Sequence, residues 1–365
     1  MRSMILAAVA LLVSCLVPHV GDVRGEESRA DPSARAAGRV GGAERPLPVS
    51  GPWVAVHLLN YEHDADLLEL EGQLPALAAR GVNVIVLEVD YAFEFKSHPE
   101  LRRPEKPITR AGARRFVQAC RKHGIAVIPQ FQSYGHQSWA KNTGPLLTRY
   151  PEFDSTPGAF PGNEGIYCRE WDPMNPRVYQ VVFALVDEII DAFDAPAIHV
   201  GMDEVFLVGH EASPSTRGKD PAEVFAKAVN DMYSHIVRKR GRTMLMWGDR
   251  LIDAERYDYG EWEASKNNTW PAVYMIPRDI VICDWHYEKR DGYPSVQMFL
   301  DKGFRVLPTS WKDVDASRLL VEQSRDLNSR RMLGHLFSTW SKQPKVAEWP
   351  PLAANAGLVR KPAER

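Results

Sequence analysis

The sequence is poor in cysteine, in net charge and in long apolar runs, and each shortage removes a class of protein. Four cysteines in 365 residues, with no Cys-x-x-Cys pair and no Cys/His spacing of a metal site, exclude a disulfide-stapled scaffold and a zinc ribbon. Cys120, Cys168 and Cys283 are widely spaced and odd in number, so they allow one disulfide at most. The helical pattern around Cys120 and the strand pattern around Cys283 favour buried thiols. A formal net charge of -2 leaves no basic excess to neutralise phosphates, which excludes nucleic acid as a partner and suits a neutral substrate. The one long apolar run, residues 4–17 behind Arg2, is too short to span a bilayer comfortably.

That run reads as a signal segment over residues 1–25, so the protein is expected to be exported to the periplasm, the cell envelope or the exterior. Leu12-Val13-Ser14-Cys15 has the pattern of a bacterial lipobox, in which Cys15 would carry a lipid anchor; otherwise cleavage falls nearer Gly25. Residues 26–50, rich in Ala, Arg, Gly, Pro and Ser without periodicity, read as a linker. A composition of 44% hydrophobic and 25% charged residues then fits an ordinary globular domain over residues 51–345, followed by a tail at 346–365.

Within that domain short apolar runs alternate with longer amphipathic ones. Strand-like segments fall at 53–59, 82–89, 125–131, 197–200, 243–247, 280–285, 304–308 and 332–337. Helical patterns lie between them at 65–80, 110–123, 176–193, 221–240, 294–302 and 317–329, several opening on Pro or just after Asp; the slot at 257–274 is poorly patterned. Eight such units predict a single (β/α)8 TIM barrel, whose chemistry belongs at the C-terminal ends of its strands.

Those ends are acidic and aromatic. Trp247, Trp285, Trp311 and Trp340 follow the fifth to eighth strands, where turn chemistry alone would favour polar residues. Flat indoles suit the apolar faces of sugar rings, and the carboxylates and amides beside them suit hydroxyls. The sharpest feature is Ile198-His199-Val200-Gly201-Met202-Asp203-Glu204-Val205, an apolar strand that runs through Gly into two adjacent acids. Successive strand side chains point to opposite faces, so both acids reach one cavity only if the chain bends after Gly201. Two close carboxylates cannot both ionise cheaply, which yields a proton donor beside an anion, the requirement for cleaving a glycosidic bond.

His199-Val200-Gly201-Met202-Asp203-Glu204 resembles the His-x-Gly-Gly-Asp-Glu signature of family 20 glycoside hydrolases, the β-N-acetylhexosaminidases. The likeness extends to Gly81-Val82-Asn83, to Pro129 with Gly135-His136, and to Trp247, Trp285 and Trp340 in order, covering residues 53–341. The resemblance implies a retaining reaction in which the substrate's own 2-acetamido group attacks the anomeric carbon, acting on terminal N-acetylhexosamine without cofactor or metal. It makes Glu204 the acid and base, and Asp203 the residue that orients the acetamide. Trp247, Trp285 and Trp340 would wall the acetamide pocket, and Tyr287 or Trp311 would close it. His136, His199, Asp249 and Asp313 are further candidates for substrate contact.

The sequence also departs from that family. Met202 replaces the second Gly, and the Glu-x-Asp-x-Pro-Gly-His pattern reads Gln130-Phe131-Gln132-Ser133-Tyr134-Gly135-His136. Asn60-Tyr61 stand where an Arg is expected, Trp340-Ser341-Lys342 where Trp-x-Glu is, and no space is left for an N-terminal accessory domain. Two other readings follow: a metal-dependent barrel hydrolase using His199, Asp203, Glu204 and His210, and a carbohydrate-binding barrel without turnover.

Overall fold

The computed structural model describes residues 47–103 and 105–362, so the signal segment, Cys15 and all but the end of the 26–50 linker lie outside the described residues. Eight parallel strands close into a barrel. They are β1 (Trp53–Leu58), β2 (Val84–Glu88), β3 (Ala126–Ser133), β4 (Ala197–Gly201), β5 (Thr243–Trp247), β6 (Val281–Trp285), β7 (Arg305–Ser310) and β8 (Gly334–Ser338). β8 pairs back onto β1 from Trp53 opposite Gly334 to His57 opposite Ser338, which completes the expected (β/α)8 architecture.

The strands are apolar on both faces because both are buried. Ala55, Val84, Val86, Ile128, Ala197, Leu245, Val281, Leu307 and Leu336 fill the barrel interior. Val54, Val56, Ile85, Leu87, Val127, Ile198, Met244, Ile282 and Val306 face the helices. Following the inward set at its period of two brings His57, Glu88, Gln130, His199, Trp247 and Trp285 to the C-terminal mouth. The site is therefore lined by the top layer of the barrel's own interior.

The helices expected at 110–123, 176–193, 294–302 and 317–329 are α3 (Arg110–Lys122), α4 (Pro176–Ala192), α6 (Pro294–Asp301) and α7 (Val314–Asp326). Asn175 caps α4 by accepting from the Arg177 amide, and Asp220 likewise caps α5 (Pro221–Tyr233), with Pro in the first turn of both. Three segments differ from the sequence reading. The helix expected at 65–80 is two, α1 (Asp64–Glu71) and α2 (Leu74–Ala79), because Pro75 has no amide to donate and its ring would strike the carbonyl four residues back. After α5 the chain winds into a π-helical stretch, Ser234–Lys239. The segment following residue 346 carries α8 (Pro350–Asn355), which buries Leu352 and ties Asn355 Nδ2 to the Val314 carbonyl at 3.0 Å. At the other end Leu47 and Val49 pack against the interior cluster that includes Trp53 and Leu333. Cys120, Cys168 and Cys283 are free and buried. No helix among the described residues is long and apolar enough to cross a membrane.

Candidate active site

β4 ends in a left-handed turn. Gly201 has φ +68°, Met202 φ +71° and Glu204 φ +51°, so the chain reverses its handedness as it leaves the barrel. Only glycine suits the first position, because a Cβ there would collide with the Gln132 side-chain amide. Met202 buries its side chain in the apolar shell, which gives a non-glycine residue at positive φ something to hold it. The turn delivers a buried Asp203 and a half-buried Glu204 to the same mouth.

β3 supplies the counterpart. Its pairing with β4 slips between Gln130–His199 and Ser133–Gly201, an irregularity that lays Gln132 against the β4 turn. Gln132 Nε2 donates to Asp203 Oδ1 at 2.6 Å, and its backbone amide donates to Asp90 Oδ1 at 2.6 Å. Gly135 then packs so close to the Asp203 carbonyl that a Cβ would sit 2.8 Å from it. The next residue, His136, stands between the two acids, with Nε2 3.1 Å from Glu204 Oε2 and Nδ1 3.7 Å from Asp203 Oδ1. Burial alone would lower the His136 pKa, but the Asp203 charge and the Glu204 hydrogen bond push it up to about 9. An imidazolium therefore bridges the acids at neutral pH. Burial raises the Asp203 pKa, with the His136 cation opposing and the Glu204 charge adding.

β5 fixes the pair from the other side. The Glu204 amide donates to Asp249 Oδ2 at 2.9 Å, Arg250 Nε donates to the same oxygen at 2.7 Å, and Trp285 Nε1 approaches Asp249 Oδ1 at 3.3 Å. Arg250 Nη2 also donates to the carbonyls of Glu261, Trp262 and Ala264 at 2.6, 3.0 and 2.8 Å, so one buried guanidinium ties the β5 loop to the acid pair. Cys168 completes the frame: its Sγ accepts from the His136 amide at 3.4 Å and reaches the Glu204 carbonyl at 3.7 Å.

Aromatic rings wall the mouth. Trp285 and Tyr287 stack at 4.7 Å, Trp340 Nε1 donates to the Tyr287 hydroxyl at 2.6 Å, and Trp340 lies 6.0 Å from Trp247. Trp311 meets Tyr287 edge on at 5.5 Å and donates to the Thr339 carbonyl. A second cleft, lined by Leu47, Val49, Arg305 and Leu333, opens at the N-terminal end of the strands; it has no acidic lining residue and lies away from the face where barrel chemistry sits.

The family model described as the glycosyl hydrolase family 20 catalytic domain matches residues 75–355. The chain belongs to that family. Among curated proteins it is similar to lacto-N-biosidase of Bifidobacterium bifidum, 24% identical over 293 residues that cover 70% of this chain and 23% of that one. It is also similar to β-hexosaminidase of Emericella nidulans, 22% identical over 279 residues covering 66% and 40%. The chain thus spans less than half the length of these two relatives. Among solved structures the Flavobacterium johnsoniae chitobiase shares the fold with a TM-score of 0.61 at 21% identity, covering 84% of this chain and 48% of that one. The β-N-acetylhexosaminidase of Streptomyces coelicolor does so with a TM-score of 0.61 at 15% identity, covering 85% and 65%.

Several site candidates have structural partners of their own in this family 20 domain. Asp313 caps α7, its Oδ1 accepting from the amides of Asp315 and Ala316 at 2.8 and 2.9 Å. His199 is fully buried against Trp247 at 4.4 Å, where its Nδ1 accepts from the Gly201 amide, so it shapes the turn. Asp249 is buried and acts on Glu204, Arg250 and Trp285 rather than on the rim. The His199–His210 metal set is not assembled, because His210 lies in a loop and its Nδ1 accepts from Ala212 N. Among the described residues, one ligand atom each from His136, Asp203 and Glu204 lie within 4.8 Å of one another, and a cation there would have to displace the His136 proton. Lys342 turns outward to Asp66 and Glu69, at 2.5 and 2.8 Å.

The sequence assigned no site role to Gln132, Asp90, Glu88 or Cys168 and did not single out Tyr167. Glu88 follows Val84 and Val86 inward; burial and the Asp90 charge hold its carboxyl well above the usual range. The strand period does place Glu88 at the mouth. Nothing in the sequence could have found Cys168 or Tyr167, which arrive from a long loop.

Proposed function

We propose that this domain removes terminal β-linked N-acetylhexosamine by substrate-assisted, retaining hydrolysis, in an exported protein whose apolar segment 4–17 directs it to the periplasm, the cell envelope or the exterior. The observation that carries the reading is that Asp203 and Glu204, adjacent in sequence, share one aromatic-walled mouth with a cationic His136 between them. Glu204, as the half-buried member, protonates the glycosidic oxygen as the C1–O bond breaks. The acetamide carbonyl oxygen attacks C1 while Asp203 accepts from the acetamide N–H and offsets the positive charge of the cyclic intermediate. Water then opens that ring at C1, returning its proton to Glu204, and two inversions leave the configuration retained. Trp247, Trp285, Tyr287 and Trp340 enclose the acetamide; Trp311 supports Tyr287.

The test is hydrolysis of aryl N-acetyl-β-glucosaminide and N-acetyl-β-galactosaminide by wild type, Glu204→Gln and Asp203→Asn. Both variants lose about 100-fold or more in kcat, since each removes an interaction made chiefly in the transition state. A thiazoline mimic of the cyclic intermediate binds more tightly than substrate. Activity survives chelators. Full turnover by Glu204→Gln overturns the assignment, and chelator-sensitive turnover transfers it to a cation held by His136, Asp203 and Glu204.

A further inference from the structure

Glu204 lies at the boundary between two separate groups of aromatic rings. The first is the wall already described. The second, which that function leaves unused, is Trp139, Tyr167, Phe206 and Trp262, brought together from loops after β3, β4 and β5. Tyr167 is its hub, with ring centroids 4.8 Å from Trp262, 5.8 Å from Trp139 and 6.0 Å from Phe206. No ring of one group touches a ring of the other among the described residues. Tyr167 also meets the His136 ring edge on at 5.7 Å, and His136 Nε2 lies 3.1 Å from Glu204 Oε2, so the hub borders the acid through that imidazole.

The two outer indoles are anomalous. Trp139 is 57% exposed and Trp262 44% exposed, two of the four large apolar side chains so exposed among the described residues. Hydrophobic surface of that size is unfavourable in water unless something covers it. Neither loop is loose. Asn163 Nδ2 holds the Ala140 carbonyl beside Trp139 at 2.9 Å, and Arg250, which grips the Trp262 carbonyl, lies 4.8 Å over the Phe206 ring. The rings are thus displayed in fixed positions next to Glu204.

A glycosidic oxygen joins two residues, and a group that protonates it stands between them. With the cleaved sugar in the β5, β6 and β8 wall, the other side of Glu204 belongs to the leaving group. We infer that Trp139, Tyr167 and Trp262 form a leaving-group subsite that stacks a second pyranose, so the substrate is an oligosaccharide chain end and not a glycoside of a small alcohol. The axial C–H groups of a β-linked pyranose give it flat apolar faces that match exposed indoles. This rests on the hydrolase reading above, and the experiment separates the two.

Binding is measured by calorimetry in Glu204→Gln, whose turnover is slowed about 100-fold or more, using the methyl β-glycosides of N-acetylglucosamine and of its β-linked disaccharide. The disaccharide binds about tenfold more tightly or better, and this preference falls about tenfold in Trp262→Ala and in Trp139→Ala, each made in the same background. Both indoles are exposed, so the variants fold, and unchanged melting temperatures check that. A disaccharide that binds no better than the monosaccharide overturns the subsite, as does a variant that weakens both ligands equally. A disaccharide preference that depends on both indoles, in a protein whose wild type cleaves no glycoside, upholds the subsite and overturns the hydrolase.

Discussion

His136 holds a positive charge beside the acid pair. Its imidazolium, 3.1 Å from Glu204 and 3.7 Å from Asp203, opposes the burial that raises the Asp203 pKa. Asp203 must be ionised to hold an acetamide N–H, so the acid limb of kcat/KM follows its protonation. Removing the cation by His136→Gln raises the Asp203 pKa further and moves that limb to higher pH, which a pH profile of kcat/KM for both proteins measures. A limb that stays in place shows that His136 does not tune the pair. The acid pair was legible in the sequence because glycine followed by two acids at a strand end is a local pattern. Gln132 was not, since its bond to Asp203 crosses 71 residues. Asp313 was open to two readings because an acid after a strand also looks like a helix cap, and here it is one. Trp247, Trp285, Tyr287 and Trp340 converge as the rim pattern implied, for strand ends in a closed barrel have nowhere else to point.

β3 and β4 act as one unit, and glycine at their junction is what allows it. Gly201→Ala places a methyl group against the Gln132 amide and forces φ +68° on a residue with a side chain. The strain alone amounts to about 1–2 kcal/mol, and displacing Gln132 adds to it. The variant is therefore expected to unfold at lower urea by at least that amount and to lose activity beyond what stability explains, because Asp203 loses its 2.6 Å partner. Urea titration together with kcat at a temperature where the variant is folded tests this. Wild-type stability in Gly201→Ala excludes the clash. Strands were read to within two residues from their apolar runs, since burial on both faces leaves a strong signal. Helices were harder: Pro75 splits one of them, and α8 at Pro350–Asn355 is too short for a period to show.

Across the whole molecule, buried titratable groups fix the direction of stability with pH on the alkaline side. His286, fully buried, would have its pKa lowered by burial, but Asp284 and Glu263 push it up to about 9; His136 is likewise held at about 9. Burial pushes the Glu170 carboxyl up to about 8, against the amides of Leu207 and Phe206. All three keep a proton in the native state that the unfolded chain has already released, the histidines from the ordinary value of 6.5 and Glu170 from 4.5. Stability must then fall as pH rises from 6.5 through 9, since the native state binds more protons there. On the acid side the signs oppose: buried His57 and His335, both held at about 3, resist protonation, while Asp203 and Asp249 favour it. The alkaline slope is therefore the clean observable. Each unit of separation between native and unfolded values is worth about 1.4 kcal/mol, so the melting temperature drops on the order of 10 °C between those limits. His286→Gln lowers the starting stability but flattens the slope, because Asp284 and Glu263 no longer hold a proton through that histidine. Melting curves of both proteins at pH 6.5 and 9 decide it, and a wild-type melting temperature that does not fall across that interval refutes the protonated state assigned to both histidines.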